Sequence, residues 1–314
     1  MDHSSGARMT GAAMETVATG LLIPEGPVAL SDGSVLIVEV GSGRISRIQP
    51  DGALRLIAQI DGGPNGTAIG PDGAAYICNN GGGFACDLVD GLLRITFAPE
   101  RYVGGSIQRL DLQSGAVTTL YTACDNMPLR APNDLVFDPD GGLWFTDHGT
   151  SAPDSKSYGG LYHARADGSM IRQVRTNLLS PNGIGLSPDG RLLYWADTLT
   201  ARLWRAEIIA PGELADYGHA PGELVASVPG HVMLDSLAVE ADGRICISSI
   251  IHGGITIIDP QTGTCTHVPV EGHMVTNICF GGADGRDVWI TAAGTGRLLR
   301  GRWPRPGLKL AFDA

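Results

Sequence analysis

The chain has 314 residues and a formal net charge of −11, with no cluster of Lys and Arg, which argues against nucleic acids and anionic membranes as partners. No apolar run is long enough to span a bilayer, and the first twenty residues lack the basic and apolar regions of a signal peptide, so we expect a cytoplasmic protein. The 45 glycines, the 19 prolines and the lack of long helical periodicity favour an all-β fold.

The N-terminal residues provide the first expected elements. Residues 1–14 are expected to form a disordered tail. The segment Thr16–Leu22 (TVATGLL) is expected to form a strand beside the last repeat of the chain, because a closed ring of sheets needs a partner for its final sheet. Residues 15–314 are expected to form one domain, since no linker interrupts the repeats. A closed ring has no free sheet edge, which favours a monomer.

A short pattern then recurs six times: an oxygen-bearing residue, a few apolar residues, an Asp-Gly turn and a hydrophobic strand. Two of the copies read PNDLVFDPDGGLWFTD and PNGIGLSPDGRLLYWAD. Repeats of this kind are typical of β-propellers, in which equivalent positions of all repeats meet at a central axis. The sequence therefore predicts a six-bladed β-propeller with a central ring of oxygen-bearing side chains. The six copies begin at Glu25, Asn65, Asn133, Asn182, Asp235 and Asn277.

Each Asp-Gly turn predicts a hairpin, because glycine accepts the positive φ that such turns require. The oxygen-bearing residue starts the innermost strand, so the loop after each second strand should return to the face that carries the ring. Two of these loops are long, Asn79–Gly105 and Asp147–Gly160. Long loops in compact domains are usually functional, and we expect Asn79–Gly105 to cover a site. Its apolar residues include Phe84, Leu88, Leu92, Leu93, Ile95 and Phe97.

The central ring has the composition of a metal site. Converging carboxylates and amides repel one another or lack partners unless a hard cation binds them, and calcium accepts oxygen ligands in irregular geometry. No His or Cys begins a repeat, which disfavours the usual zinc site. We expect one divalent cation, Ca2+ in first place, with Zn2+, Mn2+ and Fe2+ as alternatives. A single Asn-Gly pair, such as Asn182-Gly183, would be explained more simply as a turn. An oxygen-bearing residue begins all six copies, however, and this recurrence favours the metal site.

The motifs PEGPV, PNDLVFDPDGGLWFTD, PNGIGLSPDGRLLYWAD, DSLAVEADGR and NICFGG follow one another along nearly the whole chain. This ordered set resembles the gluconolactonase / regucalcin / senescence-marker-protein family. The resemblance implies a six-bladed propeller whose central cation is held by Glu25, Asn182 and Asp235. Asn133 would be a further ligand or a substrate contact. The resemblance also implies hydrolysis of lactones, with hydrolysis of organophosphate esters among relatives.

Lactone hydrolysis needs a group that activates water while the cation polarises the carbonyl. Asp235 is the first candidate for the general base. A histidine is the competitor, because histidine titrates near neutral pH. His148, directly after a predicted strand, is the strongest of the four histidines on the ring face, and His252 is next. The other two are His231 and His273. The substrate is expected to contact Asn65, Asn133 and His252, while Asn65 and Asn277 could instead hold waters or orient the metal ligands.

One departure from the family pattern bears on the substrate. Members that act on sugar lactones commonly carry Arg two residues before the Asn of the PND motif, whereas this chain has Ala131 there and Arg130 one position earlier. With the apolar loop, this favours a small lactone or ester that is less hydroxylated than an aldonolactone. Three alternatives use the same site: a phosphotriesterase or arylesterase, a lyase or isomerase, and a non-catalytic metal-binding propeller.

Overall fold

Six four-stranded antiparallel sheets surround a central axis in the computed structural model, which describes residues 14–152 and 154–312. The innermost strands of neighbouring sheets contact each other around the whole ring, including the last with the first. The predicted all-β, six-bladed propeller is therefore confirmed. Each sheet is a blade, and its strands are termed inner, second, third and outer from the axis outward.

The first three blades have the following strands. Blade 1 contains Pro24–Ala29, Val35–Glu39, Arg44–Ile48 and Leu54–Gln59. Blade 2 contains Pro64–Ile69, Ala75–Asn79, Ser106–Leu110 and Val117–Tyr121. Blade 3 contains Pro132–Phe137, Gly142–Asp147, Gly159–Arg165 and Ile171–Leu178.

The last three blades follow the same order. Blade 4 contains Pro181–Leu186, Leu192–Asp197, Arg202–Ala210 and Glu223–Ser227, and the short strand Glu213–Leu214 also pairs with its third strand. Blade 5 contains Leu234–Val239, Ile245–Ser249, Gly254–Ile258 and Cys265–Val268. Blade 6 contains Val275–Gly281, Asp287–Ala292, Arg297–Arg302 and, as its outer strand, Glu15–Ala18.

The remaining elements are short and lie in loops. The longest is a two-stranded hairpin, Phe84–Val89 with Leu92–Phe97. The two smaller pairs are Ala123–Cys124 with Met127–Pro128, and Ser151–Ala152 with Ser155–Lys156. The 3-10 turns are Pro99–Arg101 and Ala293–Thr295. Within residues 14–152 and 154–312, no helix has the length and apolar character needed to cross a bilayer.

The ring is closed by an N-terminal strand, as predicted. Glu15 pairs with Arg300 and Thr16 with Leu299. The expected bounds Thr16–Leu22 were too late in the chain, because Leu21 already belongs to the loop that leads to blade 1 and donates its N–H to the carbonyl of Gly296. Of the expected disordered tail, residues 1–13 lie outside the described residues, and Met14 packs against the core beside blade 6.

The Asp-Gly turns join inner and second strands in all six blades. Their glycines all have positive φ, for example 82° at Gly141 and 69° at Gly190. The aspartate stabilises the turn from its own side chain, as in blade 4, where Asp189 Oδ1 accepts the N–H of Arg191 at 3.1 Å. These hairpins lie at the end of the blades opposite the ring residues, which fixes the two faces of the propeller.

The apolar core lies mainly between neighbouring blades rather than at the axis. The cluster between blades 3 and 4, for example, contains Trp144 and Trp195, which are 0% and 1% exposed. Comparable clusters fill the other five interfaces. Because the blades hold one another in place through these contacts, the axis itself is free for polar side chains.

Candidate functional site

The structure brings all six repeat-initial residues to the ring end of the inner strands, and each is more than nine-tenths buried. At this point every inner strand shifts its register against the second strand. In blade 3, Pro132 pairs with Asp147, but the next pair is Leu135 with Phe145. The same irregularity occurs in the other five blades. Such bulges release a residue from the ladder and redirect its side chain, which explains why these positions can serve a site.

The glycine after several ring residues permits close contact between blades. A Cβ at Gly26 would lie 2.3 Å from the carbonyl oxygen of Asn65, and one at Gly66 would lie 2.6 Å from that of Asn133. Both Asn65-Gly66 and Asn182-Gly183 lie within inner strands, not in turns. The turn explanation for these pairs is therefore wrong, since the glycines are required by packing.

Hydroxyl groups of second and inner strands fix the backbone of the ring across blade boundaries. Thr146 Oγ1 donates to the carbonyl of Asn182 at 2.6 Å, and Ser248 Oγ donates to that of Thr276 at 2.6 Å. Thr276 Oγ1 in turn bonds to the carbonyl of Pro24 at 3.1 Å, which connects blade 6 to blade 1. These bonds hold the ring residues of different blades at fixed separations.

Hydrogen bonds made by the side-chain amide groups hold two ring asparagines in place. Asn182 Nδ2 donates to Thr198 Oγ1 at 3.1 Å, which leaves its Oδ1 without a hydrogen bond. Asn277 is used differently, because its Nδ2 donates to Glu25 Oε2 at 2.9 Å and its Oδ1 accepts the N–H of Ile278 at 2.8 Å. Asn277 thus orients Glu25, one of the two roles expected for it, whereas Asn182 has an oxygen available.

Several buried oxygens of the ring have no hydrogen-bond partner. They include Oδ1 of three asparagines, Asn65, Asn133 and Asn182, and the hydroxyl of Ser236 next to Asp235. A buried acceptor without a partner costs about 1–3 kcal/mol, so a cluster of them is unfavourable unless something binds it. The oxygens of the ring therefore have the unsatisfied bonding capacity of a ligand site.

Three carboxyl groups of the ring influence one another. Burial raises the pKa of Glu25 to about 7, partly opposed by its bonds to Asn277 and Gly26. Burial raises the pKa of Asp134 to about 7 as well, and the charge of Glu25 adds to the effect. Burial, with the charges of Glu25 and Asp134, raises the pKa of Asp235 well above its usual range, although Asn182 opposes this. Without a cation, the centre of the propeller therefore disfavours the charged forms of all three carboxyl groups.

Asp134 is a ring residue that the sequence pattern did not reveal. In a regular strand, consecutive side chains point to opposite faces, so the neighbour of Asn133 would be expected to point away from the axis. The bulge after Pro132 removes that alternation. The available signal was the Asn-Asp pair itself, which no other repeat contains.

The donor set fits a hard cation better than a soft one. The described residues contain no group of three or more His, Cys, Asp or Glu side chains with metal-binding geometry. The ring instead combines Glu25 and Asp235 with the unpaired amide oxygens of Asn133 and Asn182. Carboxylate and amide oxygens without nitrogen or sulfur are the ligands that calcium accepts.

His148 lies at the ring face, directly after the second strand of blade 3. Its partly buried ring has Nδ1 3.3 Å from the carbonyl oxygen of Gly149, and Lys156 Nζ donates to its backbone carbonyl. Burial, followed by the charge of Lys156, lowers the pKa of His148 to about 4, whereas Asp197 acts in the opposite direction. His148 is therefore neutral at pH 7 and able to accept a proton.

The other predicted histidines lie at the surface. His252 is exposed, and its ring lies on that of His267 with centroids 4.3 Å apart. His267 belongs to the outer strand of blade 5 and makes a 3.1 Å contact to the carbonyl of Gly253. His231 and His273 are also exposed. Nothing in these contacts brings the three histidines together with the ring.

The long loop of blade 2 folds into the hairpin Phe84–Phe97 on the ring face. Its residues Leu93 and Phe84 pack with Ile23, which precedes the inner strand of blade 1, and with Met274 of blade 6. The hairpin therefore extends from blade 2 across the ends of two inner strands. It is joined to the blade through Gly81, Gly82 and Gly83, which all have positive φ.

Arg130 interacts with the loops around the ring rather than with the ring itself. Its Nη1 donates to the carbonyl of Tyr158 at 2.7 Å, and its own carbonyl accepts the hydroxyl of Tyr102 at 2.6 Å. Arg130 thus joins the two long loops, that of blade 2 through its backbone carbonyl and that of blade 3 through its guanidinium. Neither contact places it among the unpaired ring oxygens.

A second set of buried acceptors ends the second strands, and the sequence analysis missed it. Asp147 accepts the N–H groups of Arg130 and Ala131 at 2.7 and 2.8 Å. Glu39, Asn79 and Asp197 likewise accept a backbone N–H from the segment before the inner strand of their own blade. We term these four the capping residues: Glu39, Asn79, Asp147 and Asp197. The final acidic or amide residue of VLIVE, AYICN, GLWFTD and LLYWAD was the available signal.

Comparison with known proteins identifies the family. The family model described as SMP-30/Gluconolactonase/LRE-like region matches residues 23–294, and the chain belongs to this family. The resemblance seen in the motifs is confirmed.

Named relatives are distant. The gluconolactonase of Zymomonas mobilis is 25% identical over 89% of this chain and 79% of that protein. Lactonase drp35 of Staphylococcus haemolyticus is 29% identical over 41% of this chain, and the match spans only 38% of that lactonase. The crystal structure of a calcium-binding protein, regucalcin, from Agrobacterium tumefaciens superposes with a TM-score of 0.72 at 20% identity, covering 97% of this chain and 100% of the other. That last likeness concerns the fold.

Proposed function

We propose that this protein is a divalent-metal-dependent hydrolase that opens the ester ring of a small lactone. The observation that carries the proposal is the ring of buried amide oxygens without hydrogen bonds beside three carboxyl groups. Membership of a family whose named relatives include a gluconolactonase and a lactonase supports the same reaction. We further propose a cytoplasmic monomer.

The residues proposed to hold the cation are Glu25, Asn133, Asn182 and Asp235. Asn277 orients Glu25, and Thr198 orients Asn182, so each helps to fix one ligand. The all-oxygen donor set favours calcium, and the relative named regucalcin is described as calcium-binding. When bound, a divalent cation supplies Lewis acidity that polarises an ester carbonyl.

Hydrolysis adds water across the ring C–O bond, so one proton must leave the attacking water and one must reach the departing ring oxygen. His148 is one candidate to accept the first proton because its ring is uncharged at pH 7, although the pKa of about 4 that results from burial and Lys156 lowers its basicity. Asp235 is the other candidate, since its carboxyl is buried in the ring, although a cation beside it would lower its basicity. The same group can return the proton to the ring oxygen.

The surroundings of the ring favour a lactone with few hydroxyl groups. Arg130, the residue nearest in sequence to the sugar-contacting arginine, donates to the carbonyl of Tyr158 instead. The hairpin Phe84–Phe97 presents apolar side chains on the same face. Asn65 and Asn133 have amide oxygens available for polar groups of the substrate. A substrate contact by His252 stays a prediction, since its ring lies on His267.

Proton release from a panel of aldonolactones and alkyl or aryl lactones tests the proposal, with calcium-loaded wild-type protein and Asp235→Ala. We expect turnover of the apolar lactones, and loss of both turnover and calcium binding, measured by calorimetry, in Asp235→Ala. An inactive protein that demonstrably holds calcium would contradict the proposal. Turnover of paraoxon-type phosphotriesters in its place would identify the arylesterase alternative.

A matched pair of variants separates the two proton acceptors. If His148 is the base, His148→Gln loses turnover by at least a hundredfold while it keeps calcium affinity. The exposed His273→Gln serves as the control and should behave as the wild type. Full turnover in His148→Gln would assign the proton transfer to Asp235.

A further inference from the structure

A cavity lies on the side of the ring opposite the Phe84–Phe97 hairpin. Its volume is about 850 Å3, and its wall includes residues of the Asp-Gly turns such as Gly33 and Gly190. The ring residues Asp134 and Asn277 lie at its inner end. The cavity is therefore distinct in position from the proposed lactone site, although both share the ring as a boundary.

The wall of this cavity is mainly apolar. Several inner strands contribute aliphatic or aromatic side chains, and the C-terminal segment contributes one more. The lining includes Ile69, Phe137, Leu186, Val239, Cys279 and Phe312. Pockets of 300–1,000 Å3 with apolar walls and a few polar groups are typical of small-molecule sites.

The C-terminal segment 306–312 forms part of the mouth and is firmly attached. Arg305 bonds through two guanidinium nitrogens to the fully buried carboxylate of Glu240, which also accepts the indole N–H of Trp303 at 2.6 Å. Leu308 donates its N–H to the carbonyl of Val239 at 2.8 Å. At the far end, Phe312 packs edge-on against Phe137 of blade 3, with centroids 5.8 Å apart. The segment thus crosses from blade 5 to blade 3 over the cavity.

The single carboxyl at the inner end selects the head group of a ligand. An alcohol can donate to the Asp134 carboxylate and accept from its protonated form, so its recognition does not depend on the charge of Asp134. A carboxylate head would have to lose its water of hydration among the apolar walls. An ammonium head would also have to leave water for apolar walls.

We propose that this cavity is a second binding site, for a medium-chain aliphatic alcohol whose hydroxyl meets Asp134 and whose chain lies among the apolar inner strands. The site goes beyond lactone hydrolysis and does not depend on it. The walls bind the chain by burial of apolar surface, and the segment 306–312 covers it.

Calorimetric titration of the calcium-loaded full chain with 1-hexanol, 1-octanol and 1-decanol tests the site. Each buried methylene contributes about 0.8 kcal/mol, so we expect the affinity to rise about fourfold per methylene. Decanoate, with the same chain length as decanol, should bind at least tenfold more weakly. No saturable binding of any alcohol up to its solubility would overturn the proposal, as would decanoate binding as tightly as decanol.

Two variants locate the binding. Cys279→Phe places a ring in the cavity wall and should weaken decanol binding more than tenfold. Asp134→Leu removes the polar partner and should weaken all the alcohols by about tenfold while the increase per methylene remains. The thermal midpoint verifies that each variant is folded, and the alcohol series decides alone if Asp134→Leu does not fold. Unchanged affinity in Cys279→Phe would place the alcohol elsewhere and refute the site.

Discussion

The ring and the capping residues are two sets of buried acidic and amide side chains in the same blades, and they differ in one respect. Asp147 and Asp197 are 2% and 5% exposed, and both carboxylate oxygens of each accept hydrogen bonds, whereas Glu39 accepts through Oε2 alone. Three ring asparagines are buried to a similar degree, but the Oδ1 atoms of Asn65, Asn133 and Asn182 accept no hydrogen bond. Burial and acidity alone therefore do not identify a binding site. The distinguishing property of the ring is a cluster of buried oxygens, contributed by several blades, whose bonding capacity the fold leaves unused.

The largest expected effect comes from a matched pair of glutamates, one from each set. Glu25→Gln keeps the shape of the side chain but removes a charge from the ring. We expect calcium affinity to fall at least a hundredfold and turnover to reach background, as measured by calorimetry and proton release. Glu39→Gln should keep calcium affinity within threefold. Equal affinities in the two variants would remove the functional distinction between the sets.

Asp147→Asn tests the capping role, because it should lower the stability of the protein and leave its calcium affinity unchanged. An amide offers one acceptor oxygen where the carboxylate uses two, for Arg130 and Ala131. We expect the free energy of unfolding to fall by about 3 kcal/mol, because at least one buried N–H loses its partner. Calcium affinity of the folded protein should remain. Denaturant titration gives the stability, and the partly exposed Asp111→Asn is the control, with a loss below about 1 kcal/mol because Asp111 accepts through Oδ1 alone.

The ring should make the stability of the metal-free protein dependent on pH. Burial raises the pKa of Glu25 from 4.5 and that of Asp134 from 3.8, each to about 7. A carboxyl with a raised pKa in the folded state contributes stability below its unfolded pKa, and this contribution is lost as the pH rises through about 7. The thermal midpoint of the metal-free protein should therefore fall between pH 4.5 and 7.5.

Saturating calcium should reverse that trend, because a cation stabilises the ionised carboxylates and competes with protons. The increase in midpoint on addition of calcium should thus be larger at pH 7.5 than at pH 5. A calcium effect that is independent of pH would show that the cation binds away from Glu25, Asp134 and Asp235. Glu25→Gln provides the control, since its midpoint should depend less on pH.

The smallest expected effect concerns the orientation of one ligand. Thr198→Val removes the hydroxyl that accepts the amide of Asn182 at 3.1 Å. The amide of Asn182 would then be free to rotate, and calcium affinity should fall about three- to tenfold, as expected for loss of a residue that orients a ligand. Thr200→Val, whose hydroxyl bonds to the capping residue Asp197, is the matched control and should leave calcium affinity unchanged.

The sequence was sufficient to predict what repeats in every blade. Six Asp-Gly hairpins and six oxygen-bearing residues led to the blade number, the two faces and the membership of the ring. The N-terminal strand was also predicted, with its bounds displaced by a few residues. These features depend on local turn chemistry and on periodicity, which a single chain displays directly.

The features that differ between blades could not be predicted. Asp134 reaches the ring through a bulge, and Asn277 is occupied by its bond to Glu25 in the next blade. His252 lies against His267, which belongs to an outer strand of the same blade. The cavity depends on the path of segment 306–312 across other blades. Asn277 and the cavity depend on contacts between residues far apart in sequence. Asp134 and His252 depend on a shift in strand register and on a contact within one blade, for which neither spacing nor composition gives a signal.

The closing strand has a consequence for how the molecule is made. Glu15 pairs with Arg300, so the N-terminal strand has no partner until nearly the entire chain has left the ribosome. Blade 6 is therefore completed last. The early blades must wait as an open arc, and the final closure brings together two distant ends at an entropic cost that grows with the length of the intervening chain. Formation of the complete ring, and with it the bond from Thr276 to Pro24, is therefore expected to be the last event of folding.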